Sequence, residues 1–338
     1  MRPVPAARLV LVVISGLLLT ACGGSSSAAP PTAPPVVTTQ TPTPSRTPGT
    51  GTWTDGAALP TAVSEVGVAL LDTRIHVLGG YVNGHPASRT HVVYDTATAR
   101  WTTAAPLPVA LDHVAAIAVA GAVYAIGGYD ASGATTGVYR WDPATDRWTA
   151  KTPLPDARAA AAVVALDGRI HLIGGRDRHG DVTRHDVYDP TTDTWSTAGA
   201  MPTARDHTAF AVLGGKVHVV GGRPGSLTVH EVYDPATDSW TSAAPLPAGR
   251  NSCAGVTLDG ALWVIGGEDP GETRVYPQTW IFDPVRNSWR DGPALPLAVQ
   301  GVGAVAVGGT LYLPGGGPVA GGNRQTSRLQ IFMIQTAT

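Results

Sequence analysis

The chain has 338 residues, 41 of them glycine and 29 proline, with 43% apolar residues and 23 basic against 25 acidic side chains. Without a period that much Gly and Pro signals disorder; with one it signals many short strands joined by turns. The charge is low and balanced and forms no Lys- or Arg-rich patch, which excludes electrostatic nucleic-acid binding, while the apolar share suffices for a buried core.

Residues 1–21 read as a secretion signal. Arg2 and Arg8 give a short positive segment, and Leu9 to Leu19 is an apolar run broken only by Ser15 and Gly16. A permanent membrane span needs about 20 apolar residues, so this run is too short for one. It ends in Leu19-Thr20-Ala21-Cys22-Gly23. That segment resembles a bacterial lipobox, which implies that Cys22 becomes the lipidated first residue of the mature chain. Stable anchoring takes about two acyl chains, and the modification implied by the resemblance supplies at least that. The expected location is extracytoplasmic, on the cell membrane. Loss of residues 1–21 removes two arginines and leaves a net charge of −4. Cys22 and Cys253 are the chain's two cysteines, so lipidation leaves no partner for an internal disulfide. The fold must then rest on packing alone.

Residues 22–51 are the lipidated Cys and a Ser/Pro/Thr-rich tether, too poor in apolar side chains to fold. A stretch of this length reaches about 30 Å as a coil and about 90 Å as polyproline II.

From residue 52 to residue 335 the chain repeats. Gly-Gly pairs fall at Gly79-Gly80, Gly127-Gly128, Gly174-Gly175, Gly221-Gly222, Gly266-Gly267 and Gly315-Gly316, spaced by 45–49 residues. Tryptophans hold one register at Trp53, Trp101, Trp148, Trp195, Trp240 and Trp289. Seven residues before the last five of these sit Tyr94, Trp141, Tyr188, Tyr233 and Phe282, and a Leu-Pro or Met-Pro follows every Trp. The third unit shows four strands most clearly. Ala160 to Leu166 (strand a) and Arg169 to Ile173 (strand b) flank the two-residue turn Asp167-Gly168. His185 to Asp189 (strand c) and Thr194 to Ala198 (strand d) flank a Pro-containing turn. Blades that converge on an axis leave room only for small side chains on strand a, as at Ala115-Ala116 and Ala159 to Ala162. Trp on the outer strand is expected to fill the wider gap between blades, where burial removes about 150–250 Å² from water.

The Gly-Gly pair, the Tyr-Asp of strand c, the in-register Trp and the Leu-Pro-x-x-Arg after it resemble the kelch repeat family. The resemblance implies an all-β, six-bladed propeller of four-stranded antiparallel blades. The Arg is present at Arg158, Arg205 and Arg250, whereas Val63, Leu111 and Val299 replace it elsewhere. The phase of the repeats leaves an orphan strand d, Thr52 to Asp55, expected to complete the last blade and so remove exposed edges.

Strand order puts the d-to-a and b-to-c loops on one face, where lengths vary and binding is expected. The register two residues after the Arg site reads Glu65, His113, Ala160, His207, Ser252 and Gly301. The b-to-c loops begin with Tyr81, Tyr129, Arg176, Arg223, Glu268 and Gly317, and longer loops add Arg178, His179, Asp181, Glu272, Arg274 and Tyr276. Glu65, His113, His207, Arg176, Arg223, Tyr81, Tyr129 and Glu268 are the candidate ligand-binding residues. Arginines there suit a polar or acidic group. Of the ten histidines, His76, His171, His218, His91, His185 and His230 occupy strand registers. No close ligand spacing such as His-x-x-x-His occurs, so no metal and no cofactor is expected. Cys253 falls on strand a as a small apolar residue, and no catalytic motif stands out.

The expected function is a monomeric, surface-anchored binding module for a protein or glycan. The alternative implied by the kelch resemblance is an exported carbohydrate-active enzyme, such as a sialic acid mutarotase or epimerase. A deep pocket with convergent Arg, His and Glu favours an enzyme, and a flat loop surface favours partner binding.

Overall fold

The computed structural model describes residues 50–82, 87–225 and 227–335. The signal segment, Cys22 and nearly all of the tether fall on residues 1–49, outside the described residues. The described residues form six four-stranded antiparallel sheets and three two-stranded ones, with no α-helix among them.

Blade 1 comprises Gly67–Leu71, Arg74–Leu78, His91–Asp95 and Arg100–Thr103 as strands a to d. Blade 2 comprises Ala115–Val119, Ala122–Ile126, Val138–Asp142 and Arg147–Ala150. Blade 3 comprises Ala162–Leu166, Arg169–Ile173, His185–Asp189 and Thr194–Thr197. Blade 4 comprises Ala209–Leu213, Lys216–Val220, His230–Asp234 and Ser239–Ser242. Blade 5 comprises Ala254–Leu258, Ala261–Ile265, Thr279–Asp283 and Ser288–Asp291. Blade 6 takes strands a to c from Val305–Val307, Thr310–Pro314 and Leu329–Ile334. Its strand d is Gly51–Asp55, paired antiparallel with Leu329–Ile334 in a register that sets Trp53 opposite Phe332. The orphan strand thus closes the propeller. It starts at Gly51, a residue the sequence reading left in the tether.

The turns form as their residues dictate. Asp167 and Gly168 both have positive φ, 50° and 74°, the pair a type I′ hairpin turn needs. At the c-to-d turns the last Asp of strand c accepts backbone N–H groups two residues on, as Asp142 does from Ala144 and Asp189 from Thr191.

Blades join through a repeated set of hydrogen bonds. Each of the six tryptophans donates its indole N–H to a backbone carbonyl of the preceding blade's d-to-a segment: Trp53 to Pro293, Trp101 to Ala57, Trp148 to Ala105, Trp195 to Thr152, Trp240 to Gly199 and Trp289 to Ala244. These tryptophans are half-buried rather than buried. They lie on the outermost strand and pack at a tilt against strand c, as Trp101 does against Tyr94 with ring centroids 5.0 Å apart. Their area contribution is therefore below that of a core Trp, and the indole hydrogen bond accounts for part of their fixed register.

The Gly-Gly pairs hold the loop face together. Gly80 N–H donates to Leu111 O of the next blade, and the same bond recurs round the circle to Gly316 with Val63. A Cβ on Gly127 would stand 2.1 Å from Arg158 O, and one on Gly128 2.7 Å from Asp112 O. Both residues have positive φ, so glycine is required for conformation and for close approach alike.

The family Arg sits inside its own blade. Arg158 donates to Gly174 O and to the Asp186 carboxylate; Arg205 donates to Gly221 O and to Glu231. Arg250 instead stacks on Tyr276 and Trp280. Blades without the Arg carry Val92, Tyr139 or Gln330 where the acid would be. Cys253 is buried on the channel wall, as expected of a small apolar residue, and burial pushes its thiol up to about 12.

Candidate functional site in the axial mouth

One residue per blade forms the floor of the site. Glu65, His113, Ala160, His207, Ser252 and Gly301 all have φ between 48° and 61°. For the five that are not glycine this left-handed conformation costs about 1 kcal/mol or more each, so something must hold it. A closed ring of backbone hydrogen bonds does so. His113 N–H donates to Glu65 O, Ala160 to His113, His207 to Ala160, Ser252 to His207, Gly301 to Ser252 and Glu65 back to Gly301, over 2.6–3.2 Å. Gly301 has a further reason to lack a side chain: a Cβ there would lie 2.2 Å from Oε1 of Glu65.

Below the ring runs a narrow channel of about 130 Å³, lined by small strand a residues such as Ala116, Ala161 and Ala254. Above it opens a polar cavity of about 300 Å³. All eight candidate binding residues line this cavity: Glu65, Tyr81, His113, Tyr129, Arg176, His207, Arg223 and Glu268. Each b-to-c loop is aimed inward by a short antiparallel bridge beside the ring, such as Asp112 with Tyr129, Asp206 with Arg223 and Asn251 with Glu268.

Sequence reasoning missed several wall residues. Asp206, Gly321 and Gly322 also line the cavity, as does Glu272, which had been noted only as a loop residue. Gly321 N–H donates to Glu268 Oε2 at 2.9 Å. Asp206, and Asp112 just behind the floor, matter most. Asp112 Oδ1 lies 2.5 Å from Nδ1 of His113, and Asp206 Oδ1 lies 2.9 Å from Nδ1 of His207. The available signal was the dipeptide Asp-His, present at this register in blades 2 and 4. Among the other loop residues noted, Arg178 bonds His179, and Arg274 lies over Tyr276, which belongs to the Arg250 stack. None of these four lines the cavity.

The electrostatics differ from a plain arginine clamp. Arg176 is paired with Asp181 at 2.9 Å, and Arg223 with Glu268 at 2.7 Å and Glu272 at 3.1 Å. Both guanidinium groups are thus matched by carboxylates, Arg176 within its own loop and Arg223 from the loop of the next blade, which weakens the case for an acidic ligand. Burial and the neighbouring Asp206 push Asp181 above the usual carboxylate range, and burial likewise raises Glu268. At the floor, Nε2 of His113 lies 3.1 Å from Oε2 of Glu65. Burial opposes both charges, but the ion pair prevails. Glu65 is held well below its ordinary value by His113, and His113 well above its own by Glu65 and Asp112. Burial, followed by the charge of Asp112, lifts the Tyr81 hydroxyl to about 12.

No curated protein matches the chain. The solved structure named "Structure of YjhT" is similar in fold, with a TM-score of 0.72 and 16% identity over 81% of this chain and 95% of the other. The model of the KLHDC2/KLHL20/DRC7 Kelch-repeats domain matches residues 113–316. That span runs from the ring His of blade 2 to the second loop Gly of blade 6, and so covers most of the repeats that carry the Gly-Gly, Trp and Arg interactions. The chain belongs to this Kelch-repeats domain family.

Proposed function

We propose that the chain is an extracytoplasmic lipoprotein, anchored through Cys22, whose propeller binds a small polyhydroxylated ligand, a glycan terminus, in the axial mouth. One observation carries the reading: a cavity of about 300 Å³ to which all six blades contribute. This is about the lower end of the small-molecule range, and it suits a sugar ring better than a flat protein epitope. Phenols from blades 1 and 2, guanidinium groups from blades 3 and 4 and carboxylates from blade 5 follow one another round the wall, so ligand hydroxyls can both donate and accept. The faces of Tyr81 and Tyr129, each edge-on to His113, offer surfaces for a sugar ring. Neutral glycans are favoured over acidic ones because neither Arg176 nor Arg223 is spare.

The enzymatic alternative, a mutarotase- or epimerase-like activity on a sugar, draws on the Glu65–His113 contact. Proton transfer works best with a pKa near the working pH, and this ion pair drives both groups away from neutrality. Binding is the better-supported reading.

A glycan array probed with the full chain tests it. The expected result is binding to neutral glycans that is lost in Tyr81→Ala and Tyr129→Ala while melting temperatures stay close to the parent's. Affinity that survives both substitutions places the ligand elsewhere. Accelerated interconversion of sugar anomers by the chain, followed by NMR, would establish the enzyme instead. For the anchor, labelled fatty acid should enter the parent and not Cys22→Ala; equal labelling of both rejects it.

A further inference from the structure

We propose that Glu65, His113 and His207 bind one divalent transition-metal ion, zinc by the chemistry of its ligands, on the floor of the axial mouth. The inference deepens the glycan reading, which it would supply with a cation for ligand hydroxyls, and it rests on separate observations.

The first is distance. One ligand atom from each of the three side chains lies within 4.8 Å of the other two, and among the described residues no other group of histidine, cysteine and acidic side chains comes together so closely. Closure onto an ion requires only small side-chain movements, since Glu65 Oε2 and His113 Nε2 are already 3.1 Å apart.

The second is orientation. His113 has its Nδ1 hydrogen-bonded to Asp112 at 2.5 Å, whereas Asp206 Oδ1 stands 2.9 Å from Nδ1 of His207 without hydrogen-bond alignment, both atoms being buried and unpartnered. That leaves Nε2 as the coordinating nitrogen of His113, and a small turn of the His207 ring onto Asp206 would give the second ring the same arrangement. A carboxylate behind the distal nitrogen is the usual support of a metal-bound imidazole: it fixes the tautomer, aims the ring and raises its basicity. The Asp-His pair, at one register of two separate blades, has no role in packing the propeller, because blades 3, 5 and 6 use Ala160, Ser252 and Gly301 at the His position.

The third is ligand type and vacancy. Two imidazoles with one carboxylate suit zinc and its neighbours, whereas calcium and magnesium prefer oxygen alone. Three protein ligands beneath an open cavity leave the further position that non-structural zinc sites keep. The hydrogen-bonded ring fixes the three Cα atoms in place, and the buried carboxylates of Asp112 and Asp206 beside the two histidines favour a cation there.

The experiment uses the full chain, freed of metal, and the ions alone. Zinc is titrated by calorimetry and cobalt(II) by visible absorption. The expected result is one ion per chain, with the intense visible bands of low-coordinate cobalt. His113→Ala and His207→Ala should lose that uptake. Alanine fits the backbone of the ring, as Ala160 shows, but His113→Ala leaves the buried Glu65 carboxylate without its partner and is expected to melt lower than the parent, so uptake by each variant is read only on protein shown to be folded. Asp206→Asn, which keeps the shape and removes the charge, should weaken binding by about 10–100-fold. The proposal is overturned if the parent takes up no stoichiometric ion, or if uptake is the same in both alanine variants. The parent's cobalt spectrum decides the matter even if a variant fails to fold, since a spectrum of hexaaqua type means no site. A chain that binds glycans without the ion loses only this inference; one that binds the ion and no glycan loses only the glycan reading.

Discussion

Arg205 shows what a single family residue contributes. Its guanidinium is fully buried against Glu231, also buried, at 2.7 Å, and donates to Gly221 O and Val229 O. Removing one member of such a pair leaves a charge without water or partner. Arg205→Leu is therefore expected to lower unfolding stability by about 3–5 kcal/mol. Blade 1 has already replaced both members, with Val63 at the Arg position and Val92 at the acid position. Adding Glu231→Val to Arg205→Leu should then recover most of the loss. Denaturant titrations of the three proteins check this, and a double variant no more stable than the single one refutes the pairing. The sequence displayed the presence and absence of the Arg, but not its partner, because the acid lies on strand c, 26 residues further on. For a similar reason it did not foretell that Arg176 and Arg223 would be neutralised. Asp181 and Glu272 sit in loops of unequal length, where register gives no guide to who meets whom.

At the level of strands, histidine pairs link strand b to strand c in three blades. His76 Nδ1 lies 2.9 Å from His91 Nε2, and His171 with His185 and His218 with His230 repeat the contact at 2.8 Å. The distal nitrogens of His91, His185 and His230 meet Ala105 O, Gly199 O and Ala244 O, the carbonyls that also accept an indole N–H from the next blade. Burial holds these imidazoles neutral and lowers their pKa values, to about 3 for His76 and His230 and about 4 for His91, His185 and His218. An unfolded histidine titrates near 6.5. Above that pH neither state binds the proton, so the contribution to stability is complete. Below it the unfolded chain takes up protons that the folded chain refuses, and stability is lost as pH falls toward about 4 and 3. His218→Tyr with His230→Val, the pair blade 2 uses as Tyr124 and Val138, should make the fall shallower by up to about 1.4 kcal/mol per pH unit for each histidine removed. Urea melts from pH 8 to pH 4 measure the slope; an unchanged slope would remove these pairs from the account of acid sensitivity. These elements were legible because interblade contacts repeat at the same register in blade after blade. Asp146, Asp193 and Asp238 were not, although each accepts a backbone N–H from the preceding blade. They read as ordinary turn residues until the neighbouring blade is in place.

For the molecule as a whole, closure depends on five N-terminal residues, Gly51–Asp55, paired with Leu329–Ile334 near the opposite end of the chain. Deleting residues 1–49 should leave a folded propeller. Deleting 1–58 also removes Trp53 and its bond to Pro293 O and bares a strand edge, so a sharply lower melting temperature or aggregation is expected. Equal melting of the two proteins would show that the last blade stands without its outer strand. The ring of left-handed residues at the mouth carries a different consequence. Each of its N–H groups points to the same neighbour in rotation, so the peptide dipoles follow one another round the axis and sum to nothing along it. The backbone therefore lends the floor almost no axial field of its own. Whatever settles there senses side chains rather than backbone, like figures on a blank dial. Exchanging Ala160 or Ser252 rewrites a figure and leaves the dial unbent, which gives one rigid scaffold many addresses.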